Sequence, residues 1–194
     1  MAAPTFELNA WLETELLTAC VDGDTRAWRE LHRRYFPVVV AFLRKLGVRE
    51  RELEDSTQEV FLQVHKYLPR FRRDSELSTW LYRICITQAR SVRRRTHVAE
   101  SLLRFLSFAP RDLVVSEPSL PEFAERKKIQ SALTQLPDAE RAAFVLYEME
   151  GLPGKQIALI LNCTEASVWR RLHEARKKFQ RAIGLEPRPS SGTE

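Results

Sequence analysis

The sequence predicts an all-α protein of two small helical domains joined by a linker. Three observations carry this prediction: apolar residues recur at helical spacing along most of the chain, no sustained alternation typical of strands occurs, and glycine appears only six times. With 194 residues and an apolar fraction of 44%, the chain can bury one medium core or two small ones.

The first domain is predicted over residues 1–99. Its first clear helix follows Asp24 and Thr25, either of which can cap a helix through its side-chain oxygen. Pro37 predicts a kink or break in this helix, because proline lacks the amide hydrogen that the helix needs. Gly47 predicts the end of the helix, since glycine readily adopts the left-handed conformation of a C-terminal cap.

Two further helices are expected in this domain. One runs from about Glu50 to Leu68 and ends at Pro69, and the next opens at Ser75 or Ser78 and continues to about Arg95. The apolar positions of the two helices form one stripe each, and we expect these side chains to be buried: Leu53, Val60, Phe61, Val64 and Leu68 on the first, and Leu77, Leu81, Ile84, Cys85 and Val92 on the second.

The helical pattern fails over residues 100–121, which we predict to be the linker. This stretch contains three prolines and no steady period. It is also rich in leucine and phenylalanine, so we expect it to dock on the protein's own domains or on a partner. Helical pattern resumes over residues 122–184, the second domain, and residues 185–194 have the composition of a disordered tail.

The second domain contains a predicted helix-turn-helix in "GLPGKQIALILNCTEASVWRRLHEARKKF". A short helix, a turn at residues 162–164 and a longer helix capped by Thr164 follow one another. On the longer helix one stripe is apolar, comprising Val168, Leu172, Ala175 and Phe179, and the opposite face carries Ala166, Arg170, His173 and Lys177. Such a helix can enter the major groove of DNA, although a helical hairpin with a merely solvated face has the same pattern.

Charge is unevenly distributed along a chain whose formal net charge is +5. Residues 50–59 hold five acids and one arginine, residues 90–95 hold four arginines, and residues 153–184 hold seven basic residues and two acids. An acidic helix beside basic helices suggests two different partners, one of them polyanionic.

Aromatic and arginine side chains are interleaved around the start of the third helix. Phe71, Trp80 and Tyr82 lie among Arg70, Arg72, Arg73, Arg83 and the arginines of residues 90–95. Aromatic rings can stack on bases while guanidinium groups neutralise phosphates, a combination suited to unpaired DNA. The alternative is that Trp80 belongs to the core and the arginines line a solvated helix end.

Several functional classes find no support. The three cysteines are far apart and no metal-ligand spacing occurs, so no metal, disulfide or cofactor is expected. Residues 17–20 match a lipoprotein cleavage box by letters, but Glu7, Glu13 and Glu15 interrupt the apolar stretch that export needs. No apolar run reaches membrane-spanning length, so we expect a cytoplasmic protein without membrane insertion.

Two segments resemble a known family. "LEDSTQEVFLQVHKYLPRF", followed by "LSTWLYRI" and the arginine run, resembles the region-two domain of bacterial RNA polymerase sigma factors. "ALTQLPDAERAAFVLYEMEGLPGKQIALILNCTEASVWRRLHEARKKF" resembles their region-four domain. The likeness covers about residues 25–95 and 129–183, and with only these two domains the chain resembles the extracytoplasmic-function group. It implies a non-enzymatic transcription initiation factor.

The resemblance also implies a role for particular residues. The residues that it implies bind the clamp helices of core RNA polymerase are Asp55, Gln58, Glu59 and Phe61. Contact with the −10 promoter element, including capture of a flipped base, falls to Phe71, Arg72, Arg73, Ser75, Trp80, Arg83, Arg90, Arg93 and Arg94. Reading of the −35 element falls to Ser167, Arg170, Arg171, His173 and Lys177. The polymerase flap and an anti-sigma factor are further implied partners.

The sequence departs from the family pattern at four positions. Thr87 stands where the family usually has asparagine, Gln156 stands where it has glutamate, and Ala166 and Trp169 replace the common glycine and lysine. These departures suggest unusual promoter specificity.

Three other functions remain open at this point. A stand-alone helix-turn-helix regulator would explain residues 151–179 but not the "DSTQEVF" helix. A protein that mimics a sigma factor without promoting transcription would share the whole pattern. A serine recombinase also carries a C-terminal helix-turn-helix, but it needs an α/β catalytic domain that the first half does not suggest.

Overall fold

The computed structural model describes residues 12–71, 76–106 and 121–185. Within these ranges the chain forms eight α-helices and no strand, which confirms the all-α prediction. The helices are α1 (Glu13–Val21), α2 (Thr25–Lys45), α3 (Glu50–Tyr67), α4 (Leu77–Leu106), α5 (Pro121–Gln135), α6 (Asp138–Phe144), α7 (Gly154–Leu161) and α8 (Glu165–Ala182). A 3₁₀ turn at Leu68–Arg70 follows α3, and a π-helical turn at Val145–Met149 follows α6.

The first bundle consists of α1 to α4. Helix α1 was not predicted from the sequence, and it buries Leu16, Leu17 and Cys20 against the other helices. The indole nitrogen of Trp28 on α2 donates to the Cys20 carbonyl oxygen at 2.9 Å, and this bond closes the turn between α1 and α2. The missed signal was the apolar pair at 16–17 followed by Cys20, a helical spacing.

The ends of α2 follow the predicted chemistry, but its middle does not. Asp24 caps the helix by accepting a hydrogen bond from the Arg26 amide at 2.7 Å. Pro37 does not break the helix, which continues to Lys45 because Val39, Phe42 and Leu43 beyond the proline are buried in the core. Gly47 ends it with φ at +84°, and a β-carbon there would lie only 2.8 Å from Nη1 of Arg141. Glycine is therefore required both by the backbone and by the neighbouring side chain.

Helices α3 and α4 bury the predicted stripes. Of these residues Phe61 alone is only partly buried, and the others are in the core. Helix α4 is longer than predicted: it passes Arg95 and the expected domain end at residue 99 and reaches Leu106. No proline or glycine occurs between these points, so nothing in the local chemistry stops the helix. The rest of the predicted linker, residues 107–120, lies outside the described residues, as do residues 186–194 of the predicted tail.

The second bundle consists of α5 to α8 and is organised around a buried arginine. The apolar stripe of α8 is buried at Val168, Leu172 and Ala175, with Phe179 partly buried against Phe144. Arg141 is only 1% exposed and donates to the carbonyl oxygens of Leu133, Thr134 and Leu136. Its guanidinium thereby satisfies carbonyls at the end of α5 that the helix itself leaves unpaired.

The two bundles pack directly against each other. Buried side chains of both form one continuous apolar cluster, and α4 contacts α7. Arg141 also donates to the Leu46 carbonyl oxygen of the first bundle at 2.8 Å. The sequence predicted two domains but contained no signal that they would dock.

Candidate nucleic-acid interface

Helix α3 presents an acidic, exposed face. Asp55, Gln58 and Glu59 are exposed, and Phe61 is half-buried at the edge of the same face. The buried side of the helix, with Leu53, Val60 and Val64, fixes this face outward. The structure therefore brings all four residues predicted to bind polymerase to one side of the first bundle.

An apolar patch that was not predicted from the sequence extends this face. Leu62 is 65% exposed, one turn beyond Gln58. The ring of Phe61 lies 4.4 Å from that of His32 on α2, and Phe36, 40% exposed, lies 5.0 Å from His32. Exposed apolar groups rimmed by charge are typical of protein-binding surfaces. The signal was an apolar residue at the outward position of α3.

An open cleft of about 730 Å³ lies between α3 and α4, at the edge of the acidic face of α3. Carboxylates of Glu52, Asp55 and Glu59 line its α3 wall, and Arg95 and Thr96 line its α4 wall. Thr96 donates to Glu52 at 2.9 Å across the cleft. The acidic wall is suited to a basic partner segment.

The aromatic residues predicted for the −10 element pack on each other. The ring centroids of Phe71 and Trp80 are 5.1 Å apart, and both side chains are half-buried. Trp80 is thus neither fully in the core nor free for stacking on both faces. Arg72, Arg73 and Ser75 lie outside the described residues, so their predicted contacts stay predictions.

Helix α4 carries a stripe of exposed polar residues at intervals of three and four: Arg83, Thr87, Arg90 and Arg94. This spacing places them on one face of the helix. The Thr87 hydroxyl donates to the Arg83 carbonyl oxygen at 2.9 Å, so the residue that replaces the family's asparagine is engaged by its own helix. Arg93 lies beside the stripe and forms an ion pair with Asp138 of the second bundle at 2.8 Å.

The turn between α7 and α8 has the geometry of a helix-turn-helix. Asn162 ends α7 in the left-handed conformation with φ at 49°, and the Cys163 amide donates to the Ala158 carbonyl oxygen at 3.0 Å. Thr164 then caps α8, as predicted, by accepting from the Ser167 amide at 3.2 Å. Ile157, Leu161 and Val168 are buried between the helices and hold them together.

The residues predicted to read the −35 element divide into two groups. Arg170, His173 and Lys177 are exposed on the open face of α8 and form no hydrogen bond or ion pair with any residue in the described part of the chain. Arg171 instead donates to the Cys163 sulfur at 3.4 Å, and the Ser167 hydroxyl pairs with that of Thr164 at 2.9 Å. The first group is free for phosphates or base edges, while the second supports the turn.

Trp169 has a different environment from the open face beside it. Its ring meets that of Tyr147 edge-on at 5.4 Å and covers Gly154 at the start of α7. It nevertheless remains 42% exposed. Trp169 therefore packs on Tyr147 and on the start of α7, yet a large part of the indole faces outward.

Gln156, where the family has glutamate, faces the first bundle. Its side-chain amide donates to the Thr79 hydroxyl of α4 at 2.7 Å. Three more contacts join the same surfaces: Arg83 donates to the Leu159 carbonyl oxygen at 2.6 Å, and the Glu150 carboxylate accepts from Lys45 at 2.7 Å and from Tyr82 at 2.8 Å. Burial raises the pKa of Tyr82, and the bond to Glu150 raises it further.

No group of acidic, histidine or cysteine side chains that could hold a metal ion occurs among the described residues. Cys20, Cys85 and Cys163 are free thiols, and burial raises the pKa of Cys20 to about 11. None of the helices in the described ranges is long and apolar enough to cross a membrane.

Comparison with known families gives two matches. The family described as Sigma-70 region 2 matches residues 31–98, and Sigma-70, region 4 matches residues 126–179. The chain is similar to the ECF RNA polymerase sigma factor SigM of Mycobacterium tuberculosis, with 30% identity over 174 residues that cover 89% of this chain and 85% of SigM. It is also similar to the ECF RNA polymerase sigma-E factor of Escherichia coli K12, with 27% identity over 83% of this chain and 88% of the relative.

Two solved structures share the fold. The structure of CnrH in complex with the cytosolic domain of CnrY superposes with a TM-score of 0.65 at 22% identity, over 89% of this chain and 97% of CnrH. The sigma factor RpoE of Bartonella quintana, solved with the anti-sigma factor NepR, superposes with a TM-score of 0.64 at 20% identity, over 84% of this chain and all of that one.

Proposed function

Because this chain belongs to the extracytoplasmic-function group of sigma-70 factors, which bind core RNA polymerase and direct promoter-specific transcription initiation without catalysis of their own, we propose how its surfaces divide that work. The acidic face of α3 holds core polymerase, the polar stripe of α4 with Phe71 and Trp80 binds the −10 element, and α8 reads the −35 element.

The open face of α8 is the observation that most strongly supports the proposal. Arg170, His173 and Lys177 project together from the second helix of a well-formed helix-turn-helix, with no protein partner in the described part of the chain. Two unpaired cations and an imidazole on one face suit the phosphates and guanine edges of duplex DNA, which attract and orient such a helix.

The α3 face is assigned to polymerase on chemical grounds. Its carboxylates complement a basic partner, and the exposed Leu62 with the half-buried Phe61 offers apolar area at the centre of the contact. We assign the clamp helices of the largest subunit to this face and the polymerase flap to the second bundle, as the family resemblance implies.

An anti-sigma factor is also part of the proposal. Support comes from the two solved relatives, since the RpoE structure contains an anti-sigma factor and the CnrH structure contains the cytosolic domain of CnrY. A pull-down from cells with and without the inducing signal tests it. Recovery of polymerase alone under both conditions would contradict this part.

The main experiment is co-purification of the chain with core RNA polymerase, followed by run-off transcription from a library of random promoters. We expect stable association and initiation from one defined pair of −10 and −35 sequences. Duplex DNA binding without polymerase association would contradict the proposal and favour a stand-alone helix-turn-helix regulator. Association without initiation would favour a sigma mimic.

A further inference from the structure

Trp169 is fixed at the edge of the open face of α8. A β-carbon at Gly154 would lie 2.7 Å from Cζ2 of the indole, so only glycine leaves room for the ring. Gly154 does not have a positive φ, so its lack of a side chain serves space rather than backbone conformation. Tyr147 holds the ring from another side. The indole nitrogen donates to no residue in the described part of the chain.

The position of Trp169 on α8 favours contact with bases. It lies within the first two turns of the helix, the half that approaches base edges in helix-turn-helix proteins, directly before Arg170 and one turn before His173. The other flank of α8 is tied to its own bundle, through Arg171 to Cys163 and through Lys178 to Glu140. Trp169 is therefore the large apolar group that α8 offers beside its cations.

We propose that Trp169 is a specificity-determining residue that reads a thymine methyl group in the −35 element. The thymine methyl is the apolar group among the base edges of the major groove, so an indole edge discriminates there by apolar contact. Because the ring is already held by Gly154 and Tyr147, it loses little freedom on binding. This inference rests on the proposal that α8 reads the −35 element.

Uracil substitution tests this contact, because uracil lacks only the methyl group. Holoenzyme is bound to a promoter recovered from the random library, with each thymine of the −35 element replaced in turn by deoxyuridine. We expect the wild-type affinity to fall about three- to fivefold at one position, as burial of one methyl group predicts. Trp169→Ala should abolish that sensitivity, and Trp169→Phe should retain part of it.

Gly154→Ala is the second variant, since it displaces the ring without removing it. It should lose the uracil sensitivity while helical content by circular dichroism is retained. If transcription depends on the −35 sequence, three results overturn this inference alone. They are the absence of any uracil effect, an equal uracil effect in wild type and Trp169→Ala, and a selected −35 element that contains no thymine. Transcription with no −35 dependence overturns it together with the assignment of α8.

Discussion

Helices α4 and α8 are both basic and both assigned to DNA, yet their cations have different surroundings. On α8 the side chains of Arg170, His173 and Lys177 are exposed and form no hydrogen bond or ion pair with any described residue. On α4 the side chains of Arg83 and Arg93 bind the second bundle, through the Leu159 carbonyl oxygen and Asp138. The surface that we assign to the −35 element is thus open in the described chain, whereas the one that we assign to the −10 element is partly occupied by the protein itself.

The difference shows that a basic helix in the sequence does not indicate what its charges contact. Both helices alternate buried apolar stripes with exposed cations, so their patterns predict the same kind of surface. The two helices differ in whether the other bundle lies against their exposed side chains.

Arg141 stabilises the second bundle and also binds the first bundle. Arg141→Ala should lower the free energy of unfolding of the second bundle by about 3 kcal/mol, because it removes charged hydrogen bonds and leaves buried carbonyls of α5 unpaired. Urea denaturation monitored by circular dichroism measures the loss. Arg181→Ala, at an exposed site on α8, should change stability by less than about 0.5 kcal/mol. A similar loss in both variants would contradict the role of Arg141.

Arg170 and Arg171 are neighbours with opposite environments, so they sharpen the comparison within α8. Arg170→Ala should weaken binding of −35 duplex by about 2 kcal/mol, through loss of a base or phosphate contact, with polymerase binding unchanged. Arg171→Ala should weaken it by less, because its guanidinium faces Cys163. Fluorescence anisotropy with holoenzyme measures both. The contrast between open and supporting residues would fail if Arg171→Ala had the larger effect.

The α3 face should behave independently of both DNA-binding helices. Asp55→Ala with Gln58→Ala should weaken association with core polymerase by about 1–2 kcal/mol, as expected for removal of exposed polar contacts at an interface. Binding of −35 duplex by the free chain should not change. Glu54→Ala, on the same helix and also exposed, serves as the control. Parallel loss of polymerase and DNA binding in the double variant would contradict the division of surfaces.

The smallest predicted effect is the pH dependence of the first bundle. Hydrogen bonds from Arg33 and Arg34 lower the pKa of Glu30 from 4.5 to about 2. Because the folded pKa is the lower one, the stabilisation is complete above about pH 4.5 and is lost as pH falls towards 2. Arg33 is largely exposed, so solvent screening limits the effect to about 1 kcal/mol.

Glu30→Gln isolates this contribution from that of the other carboxylates. The difference in free energy of unfolding between wild type and Glu30→Gln, measured by denaturation at successive pH values, should shrink between pH 4.5 and 2. A constant difference across that range would mean that the arginines do not act on the ionised form of Glu30.

The sequence by itself determined the family, the helix-turn-helix and the starts and buried faces of most helices of the first bundle. Local chemistry defined the Asp24 and Thr164 caps, the end of α2 at Gly47 and the buried stripes of α3, α4 and α8, because each depends on neighbours within a turn or two. Where tertiary contacts overrode local chemistry, the local pattern was not sufficient. Pro37 does not break α2, since the residues beyond it are held in the core, and α1 was missed because its short apolar pattern gains meaning only against α2.

Only the tertiary structure decided which charged and polar residues stay open on the surface and which bind another part of the protein. Nothing local distinguishes Arg93 from Arg94, or Glu148 from Glu150, yet one of each pair contacts the other bundle. Gln156, a departure with no local explanation, finds its partner 77 residues away in Thr79. The physical reason is that a helical period fixes which side of a helix is buried, whereas the partner of an exposed polar group depends on how separate helices pack.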